Sequence, residues 1–255
     1  MNETTFFQYL LVTMFILAGL VFIVLLFVAA PYGKFTRPGF GPRMNRRLGW
    51  IVMETPSVLV FAACFITGTG KTTSSLAGLA FLFTWMIHYV HRAFVFPFRL
   101  KGGKQNMTVL AVIMGFLFTS ANSYLNARWL YALSPGYGNG WLFDPRFLSG
   151  MAVFLLGLVI NQHSDTILIS LRQPGQTGYK LPTGGLFRFV SCPNYLGEIM
   201  EWLGWAVATW SLPGLAFFAW TVANLGPRSV AQHKWYIKHF KNYPGNRKAL
   251  VPFLF

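Results

Sequence analysis

The sequence predicts an all-α, polytopic integral membrane protein, a single domain of seven transmembrane helices with the N-terminus outside and the C-terminus in the cytoplasm. Three observations lead there. The 255 residues are 54% hydrophobic and only 11% charged, where a soluble domain carries about 25% charged residues. Seven apolar runs stand out, most of them long enough to cross roughly 30 Å of hydrocarbon. The 21 Lys and Arg against 6 Asp and Glu, a net charge of +15, fall unevenly between alternate loops. Disorder is excluded, because it needs low hydrophobicity as well as high charge. A strongly basic chain can also signal nucleic acid, so the placement of the basic residues has to decide.

The runs are, in order, Tyr9 to Ala30, Leu48 to Thr67, Leu76 to Phe98, Met107 to about Leu125, and Phe147 to about Leu171. Two shorter ones follow, Leu196 to Ser211 and Gly214 to about Leu225, divided only by Leu212 and Pro213. Some thirty residues exceed one span, and proline breaks a helix interior, so this pair reads as a helical hairpin with a tight external turn. The first run has no basic n-region and exceeds a signal h-region, so it reads as a retained helix. Residues 1–106 then hold helices one to three, and 107–255 hold the remaining helices, the loops and the tail.

Seventeen basic residues lie after the first, third and fifth helices and in the C-terminal tail. The opposite loops hold only Lys71, Arg128 and Arg146, and Arg92 lies within the third helix. This is the positive-inside distribution, so the charge belongs to membrane topology and no nucleic acid is expected. The membrane would be the endoplasmic reticulum in a eukaryote or the inner membrane in a bacterium. Cys64 and Cys192 offer no disulfide framework.

The acidic residues carry the functional signal. Glu3 and Asp144 are external, whereas Glu54, Asp165, Glu198 and Glu201 fall in or at the ends of apolar segments, where acids are costly and usually mark a site. Glu54 lies roughly 9 Å deep and Tyr89 roughly 13 Å deep in antiparallel neighbours, at a rise of 1.5 Å per residue. Asn161 and Asp165 share a face of the fifth helix, and Asn194, Glu198, Glu201 and Trp202 share one at the start of the sixth. These groups converge on one inner-leaflet cavity. Its basic rim suits an anionic ligand from the cytoplasm, and its aromatic depth suits an apolar one.

Several other patterns fail on spacing. Gly68-Thr-Gly-Lys-Thr-Thr73 lacks the first glycine of a P-loop, since Phe65 stands there. No Gly-x-Gly-x-x-Gly follows a strand, so a dinucleotide would be held by helices and loops. His88 and His91 have no third ligand and Arg92 beside them, which argues against a metal. No Gly-x-Ser-x-Gly nucleophile setting is present.

The C-terminal half contains Asn161-Gln-His-Ser-Asp165, Leu171-Arg172, Gly178-Tyr179-Lys180, Pro182-Thr-Gly-Gly185, Ser191-Cys-Pro-Asn194-Tyr-Leu-Gly197-Glu198, Glu201-Trp202, and a tail from Tyr236 through Tyr243-Pro244 to Arg247-Lys-Ala-Leu-Val-Pro-Phe253. The N-terminal half contains Pro31-Tyr-Gly-Lys34, Glu54-Thr-Pro-Ser57 and His88-Tyr-Val-His-Arg92. In this order, over nearly the whole chain, the set resembles the steroid 5α-reductase family. The resemblance implies a seven-helix membrane enzyme that uses NADPH to reduce the Δ4 double bond of 3-oxo steroids. It implies that Glu54 and Tyr89 hydrogen-bond the 3-oxo group. Asn161, Asp165, Arg172, Tyr179, Asn194, Glu198, Trp202 and Tyr236 would hold the cofactor, with Tyr32, Lys34 and His233 as further cofactor-side candidates. The chain departs from the pattern at Phe96, where a tyrosine is expected, at Gln232, at Met53 and across Arg99 to Asn106, which bears on cofactor contacts from the third loop.

The chemistry of the residues agrees. Hydride addition to the β-carbon of an enone places negative charge on the carbonyl oxygen, so a donor at that oxygen stabilises the transition state more than the ground state. Tyr89 is the natural donor, and Glu54 could share a proton with the oxygen or orient Tyr89. Carboxylates and amides suit ribose hydroxyls and the carboxamide, and Arg172 suits phosphates. The partners expected are a steroid or similar apolar enone and membrane lipid, with no obligate protein partner. Three other classes remain to be tested against this one. They are a reductase of polyprenols or long-chain enoyl thioesters, a membrane methyltransferase using S-adenosylmethionine (the Pro193-Asn-Tyr195 region is similar to isoprenylcysteine methyltransferases), and a transporter. No inverted repeat supports the last.

Overall fold

A computed structural model describes residues 2–29, 35, 39, 41–100, 106–172 and 178–255. Most of the long helices begin where a short polar side chain satisfies free N–H groups of the first turn. Asn2 caps α1 (Glu3–Phe27), Asn45 caps α2 (Arg46–Ile66) and Ser75 caps α3 (Leu76–Arg99). After α4 (Val109–Leu133), Asp144 caps α5 (Pro145–Ser170). Proline at the first position starts α6 (Pro193–Thr209), and Ser211 caps α7 (Leu212–His239). The five helices α1 to α5 are long and apolar enough to cross a membrane.

The expected hairpin exists. Trp210, in the left-handed region at φ 44°, ends α6, and the chain turns at once into α7 with Pro213 in its first turn. Helix α7 runs fourteen residues past the expected end at Leu225, so Arg228, Lys234 and Lys238 lie on a helix and not in a loose tail. An apolar-run criterion stops at the first polar residues, whereas this helix continues on a buried face through Leu225, Pro227, Ser229 and Tyr236. Likewise α4 continues past Leu125 to Leu133, and α1 begins at Glu3, well before Tyr9. Arg128 explains both extensions, because it bonds Glu3 through two N–H groups at 2.7 and 2.8 Å.

Two short strands, β1 (Arg43–Asn45) and β2 (Asn106–Thr108), pair antiparallel. They tie the segment before α2 to the segment before α4, so the start of α2 and the end of α3 share one end of the bundle. Here α2 packs on α4, α5 on α6, α6 on α7 and α7 on α1.

The α5–α6 seam is the closest. A Cβ on Gly157 would stand 2.5 Å from Gly197 O and 2.6 Å from Glu201 N, and one on Gly197 would stand 2.5 Å from Asn161 N. Small residues allow backbones to approach in this way, as in membrane helix pairs. The core between α2, α3, α6 and α7 is aromatic: Phe61 stacks on Trp85 at 4.4 Å and Trp202 lies 4.1 Å from Phe217. The indole nitrogens find partners as buried Trp requires, Trp85 donating to Ser57 O at 2.8 Å and Trp205 to Asn126 Oδ1 at 2.8 Å. Outward-facing apolar side chains such as Leu20, Ile23, Ile66, Phe83 and Leu117 remain exposed, as lipid contact demands.

Candidate active site

Arg92 organises the site. It lies in a five-residue π-helical stretch, His91–Val95, inside α3, a local widening that often accompanies functional sites. Its guanidinium lies 3.9 Å from Glu54 Oε1 on α2, 3.6 Å from Asp165 Oδ2 on α5 and 3.4 Å from Glu198 Oε2 on α6. Trp50 and Phe96 flank it, with ring centroids 4.7 and 5.1 Å away. A charge this buried needs paired counter-charges, and three of the four acids singled out in the sequence supply them. Phe96, in place of the expected tyrosine, contributes a ring face to this cation.

The amides extend the network. Asn194 Nδ2 donates to Asp165 Oδ1 at 3.2 Å, and Asn161 Nδ2 donates to Asn194 O at 3.0 Å. Gly157 and Gly197 permit this, since the close seam they form continues one turn on to Asn161 and Asn194.

Tyr89, one turn before Arg92, is buried and faces aromatic side chains. It stacks on Trp202 with centroids 5.6 Å apart and meets Trp85 at 4.8 Å. Trp202 is 1% exposed, enclosed by Tyr89, His88, Phe154 and Phe217. Trp202, expected to hold the cofactor, and Tyr89, expected to meet the substrate, are thus direct neighbours.

The fourth acid, Glu201, is fully buried and bonds His88 Nδ1 at 2.6 Å. Neither a helix cap nor a metal ligand, it forms an interhelical pair between α3 and α6, and His88 in turn packs against Tyr89 at 4.9 Å. Among the described residues no group of His, Cys, Asp and Glu could hold a metal. Both cysteines are buried and free.

The remaining candidates lie nearer the C-terminal tail. His233 Nδ1 is 2.6 Å from Ser191 Oγ. Tyr236 is buried and stacks on Tyr243 at 5.9 Å. Tyr179 is exposed, with its ring edge-on to Trp235 at 5.0 Å, and Arg172 is exposed just past the end of α5. Tyr32 and Lys34 lie outside the described residues.

The tail, expected with the loops to carry much of the cofactor side, packs back on the entry to α6. Lys248 N donates to Phe189 O at 2.9 Å, and Ser191 N donates to Lys248 O at 2.9 Å. These bonds strap the tail across the entry to α6. Arg247 is buried and donates to Pro182 O at 3.0 Å, and its Nε has no hydrogen-bond partner among the described residues. Sequence reasoning missed Arg92, His88 with Glu201, and Ser191 with Tyr243. An arginine inside a membrane helix was a usable signal for the first; the others depend on contacts between distant segments.

The sequence profile described as 3-oxo-5-alpha-steroid 4-dehydrogenase matches residues 105–255. A steroid 5-alpha-reductase of Gossypium hirsutum is 41% identical over 258 residues, covering 100% of this chain and 99% of that protein. The 3-oxo-5-alpha-steroid 4-dehydrogenase 1 of Bos taurus is 42% identical over 239 residues, covering 91% of each chain. That of Homo sapiens is 42% identical over 224 residues, covering 88% of this chain and 86% of its own. With identity of this order across nearly the whole length, the chain belongs to the 3-oxo-5-alpha-steroid 4-dehydrogenase family of oxidoreductases.

Proposed function

We propose that the protein reduces the Δ4 double bond of 3-oxo steroids to 5α-dihydrosteroids, using NADPH, within a membrane domain of seven spans whose N-terminus is outside and C-terminus cytoplasmic. The observation that carries this reading is Arg92, which joins the substrate-side Glu54 to the cofactor-side Asp165 and Glu198 through one guanidinium. Family membership adds the steroid, and the relatives' names add the reaction.

The donor set fits NADPH. Asp165, Glu198, Asn161 and Asn194 offer carboxylates and amides suited to ribose and carboxamide, while Arg172 and the buried, unsatisfied Nε of Arg247 suit phosphate oxygens. When bound, NADPH supplies the hydride that adds to C5 of the steroid. Tyr89 donates a hydrogen bond to the 3-oxo oxygen, where negative charge develops. Glu54 meets the same oxygen together with Tyr89, and Arg92, 3.9 Å from its carboxylate, holds Glu54 in place. The aromatic wall of Trp85, Tyr89 and Trp202 excludes water and faces the apolar ring system.

The test is turnover by the purified full-length protein in detergent. NADPH oxidation on addition of testosterone or progesterone, with the 5α-dihydrosteroid identified by mass spectrometry, is expected. Turnover of polyprenols or enoyl thioesters without steroid reduction, or release of S-adenosylhomocysteine from S-adenosylmethionine, would overturn the proposal in favour of those activities.

A further inference from the structure

Arg99, in the last turn of α3, reaches two residues that border the Arg92 network. Its Nη2 donates to Thr166 Oγ1 on α5 at 2.7 Å, and its Nη1 lies 3.3 Å from Nε2 of His91 on its own helix. Thr166 follows Asp165 in the chain and His91 precedes Arg92, and Asp165 and Arg92 are the pair that meets at 3.6 Å. One guanidinium therefore holds a sequence neighbour of each partner. The same hold spans the π-helical stretch His91–Val95, where the backbone departs from the regular α-helical ladder.

The contacts fix the direction of every hydrogen bond in this clip. Arginine only donates, so Thr166 Oγ1 accepts from Arg99, and the single Thr166 hydroxyl hydrogen goes to Gln162 O at 2.7 Å. His91 must likewise accept, so its Nε2 is bare and its neutral ring carries the hydrogen on Nδ1. A planar guanidinium can aim separate N–H groups at acceptors on two elements, which the point charge of a lysine does not reproduce.

We propose that Arg99 is a positioning residue for the Arg92–Asp165 pair, fixing the end of α3 against α5 so that Asp165 and its amide partner Asn194 are presented to the cofactor in register. The role in cofactor binding rests on the NADPH-dependent reading above. Arg99 acts through Thr166 and His91 and touches neither substrate nor cofactor.

Two measurements on the full-length protein test this. In NADPH titrations, Arg99→Met, which keeps the aliphatic stem and removes the donors, and Thr166→Val, which removes only the acceptor, should each weaken binding roughly 10-fold, the scale of one lost hydrogen bond to a charged group. The double variant should bind no more weakly than Arg99→Met alone, and Arg99→Lys should recover only part of the affinity. Thr166 is exposed, so Thr166→Val should keep a thermal midpoint near that of wild type, which separates positioning from loss of fold. Unchanged affinity in Arg99→Met, additive losses in the double variant, or full recovery in Arg99→Lys would overturn the proposal. A loss in Arg99→Met with none in Thr166→Val would overturn it in favour of direct contact between Arg99 and the cofactor. In ¹⁵N-histidine-labelled protein kept free of cofactor, the His91 signals, identified by their loss in His91→Asn, should show a bare Nε2 and a protonated Nδ1. A protonated Nε2 refutes the clip. Wild-type protein that binds no NADPH would sink the reductase reading and the affinity role together, while the cofactor-free tautomer still decides whether Arg99 holds His91.

Discussion

Arg92 draws a carboxylate from each of three other helices to one point, and its side chain is only 17% exposed. Removing one partner of a buried ion network leaves the others uncompensated, which typically costs about 3 to 5 kcal/mol. Arg92→Ala is accordingly expected to lower the thermal midpoint in detergent steeply, read by intrinsic fluorescence, and to abolish turnover; a midpoint within a degree or two of wild type would show that the three carboxylates do not depend on it. Tyr89→Phe tests a different property, because the ring packing on Trp202 and Trp85 survives and only the hydroxyl is lost. Turnover of a 3-oxo-Δ4 steroid should fall by about 10² to 10³, the loss typical of one oxyanion donor, while NADPH affinity stays near wild type. Unchanged turnover would remove Tyr89 from the chemistry. The four acids in or beside apolar segments were legible in the sequence as a set, because acids there are costly. Their division was not legible: Glu54, Asp165 and Glu198 answer to Arg92, whereas Glu201 answers to His88. That choice depends on side-chain reach across helices.

At the level of elements, the α5–α6 seam decides whether the amides and acids on it can meet. Gly157→Ala places a methyl 2.5 Å from Gly197 O and 2.6 Å from Glu201 N, both backbone atoms that no rotamer change can move. Overpacking of this kind typically costs about 1 to 3 kcal/mol. The expected result is a lower thermal midpoint together with weaker NADPH binding, since Asn161 and Asn194 move apart with the seam. A variant with normal stability and affinity would show that the helices slide without consequence. The spacing of i and i+4 residues already put Asn161 with Asp165 and Asn194 with Glu198 on shared faces. Helix ends were less legible. The apolar runs mark the buried or lipid-facing middle of a helix, whereas α1, α4 and α7 extend through polar residues stabilised by Glu3 with Arg128 and by the buried face around Tyr236.

For the whole molecule, the charge distribution leads to a definite topology, and impermeant thiol labelling can check it. Lys71→Cys should be labelled only from outside and Lys241→Cys only from the cytoplasmic side; both positions are exposed, and the native cysteines Cys64 and Cys192 are buried and should contribute little background. Labelling of both positions from one side would refute the odd number of spans expected between Lys71 and the tail. The sequence by itself determined the membrane class, the helical architecture, the family and the roster of acids, amides and aromatics at the site. These follow from local quantities: run length against bilayer thickness, charge count by loop, and the cost of a carboxylate in an apolar segment. Only the tertiary structure decided that Arg92 is the hub, that Trp202 belongs to the aromatic wall around Tyr89, and that the tail returns to Ser191 and His233. Those facts are pairings between residues as much as 113 positions apart in the chain. Residue type and local spacing carry no information about such partners until the helices are packed.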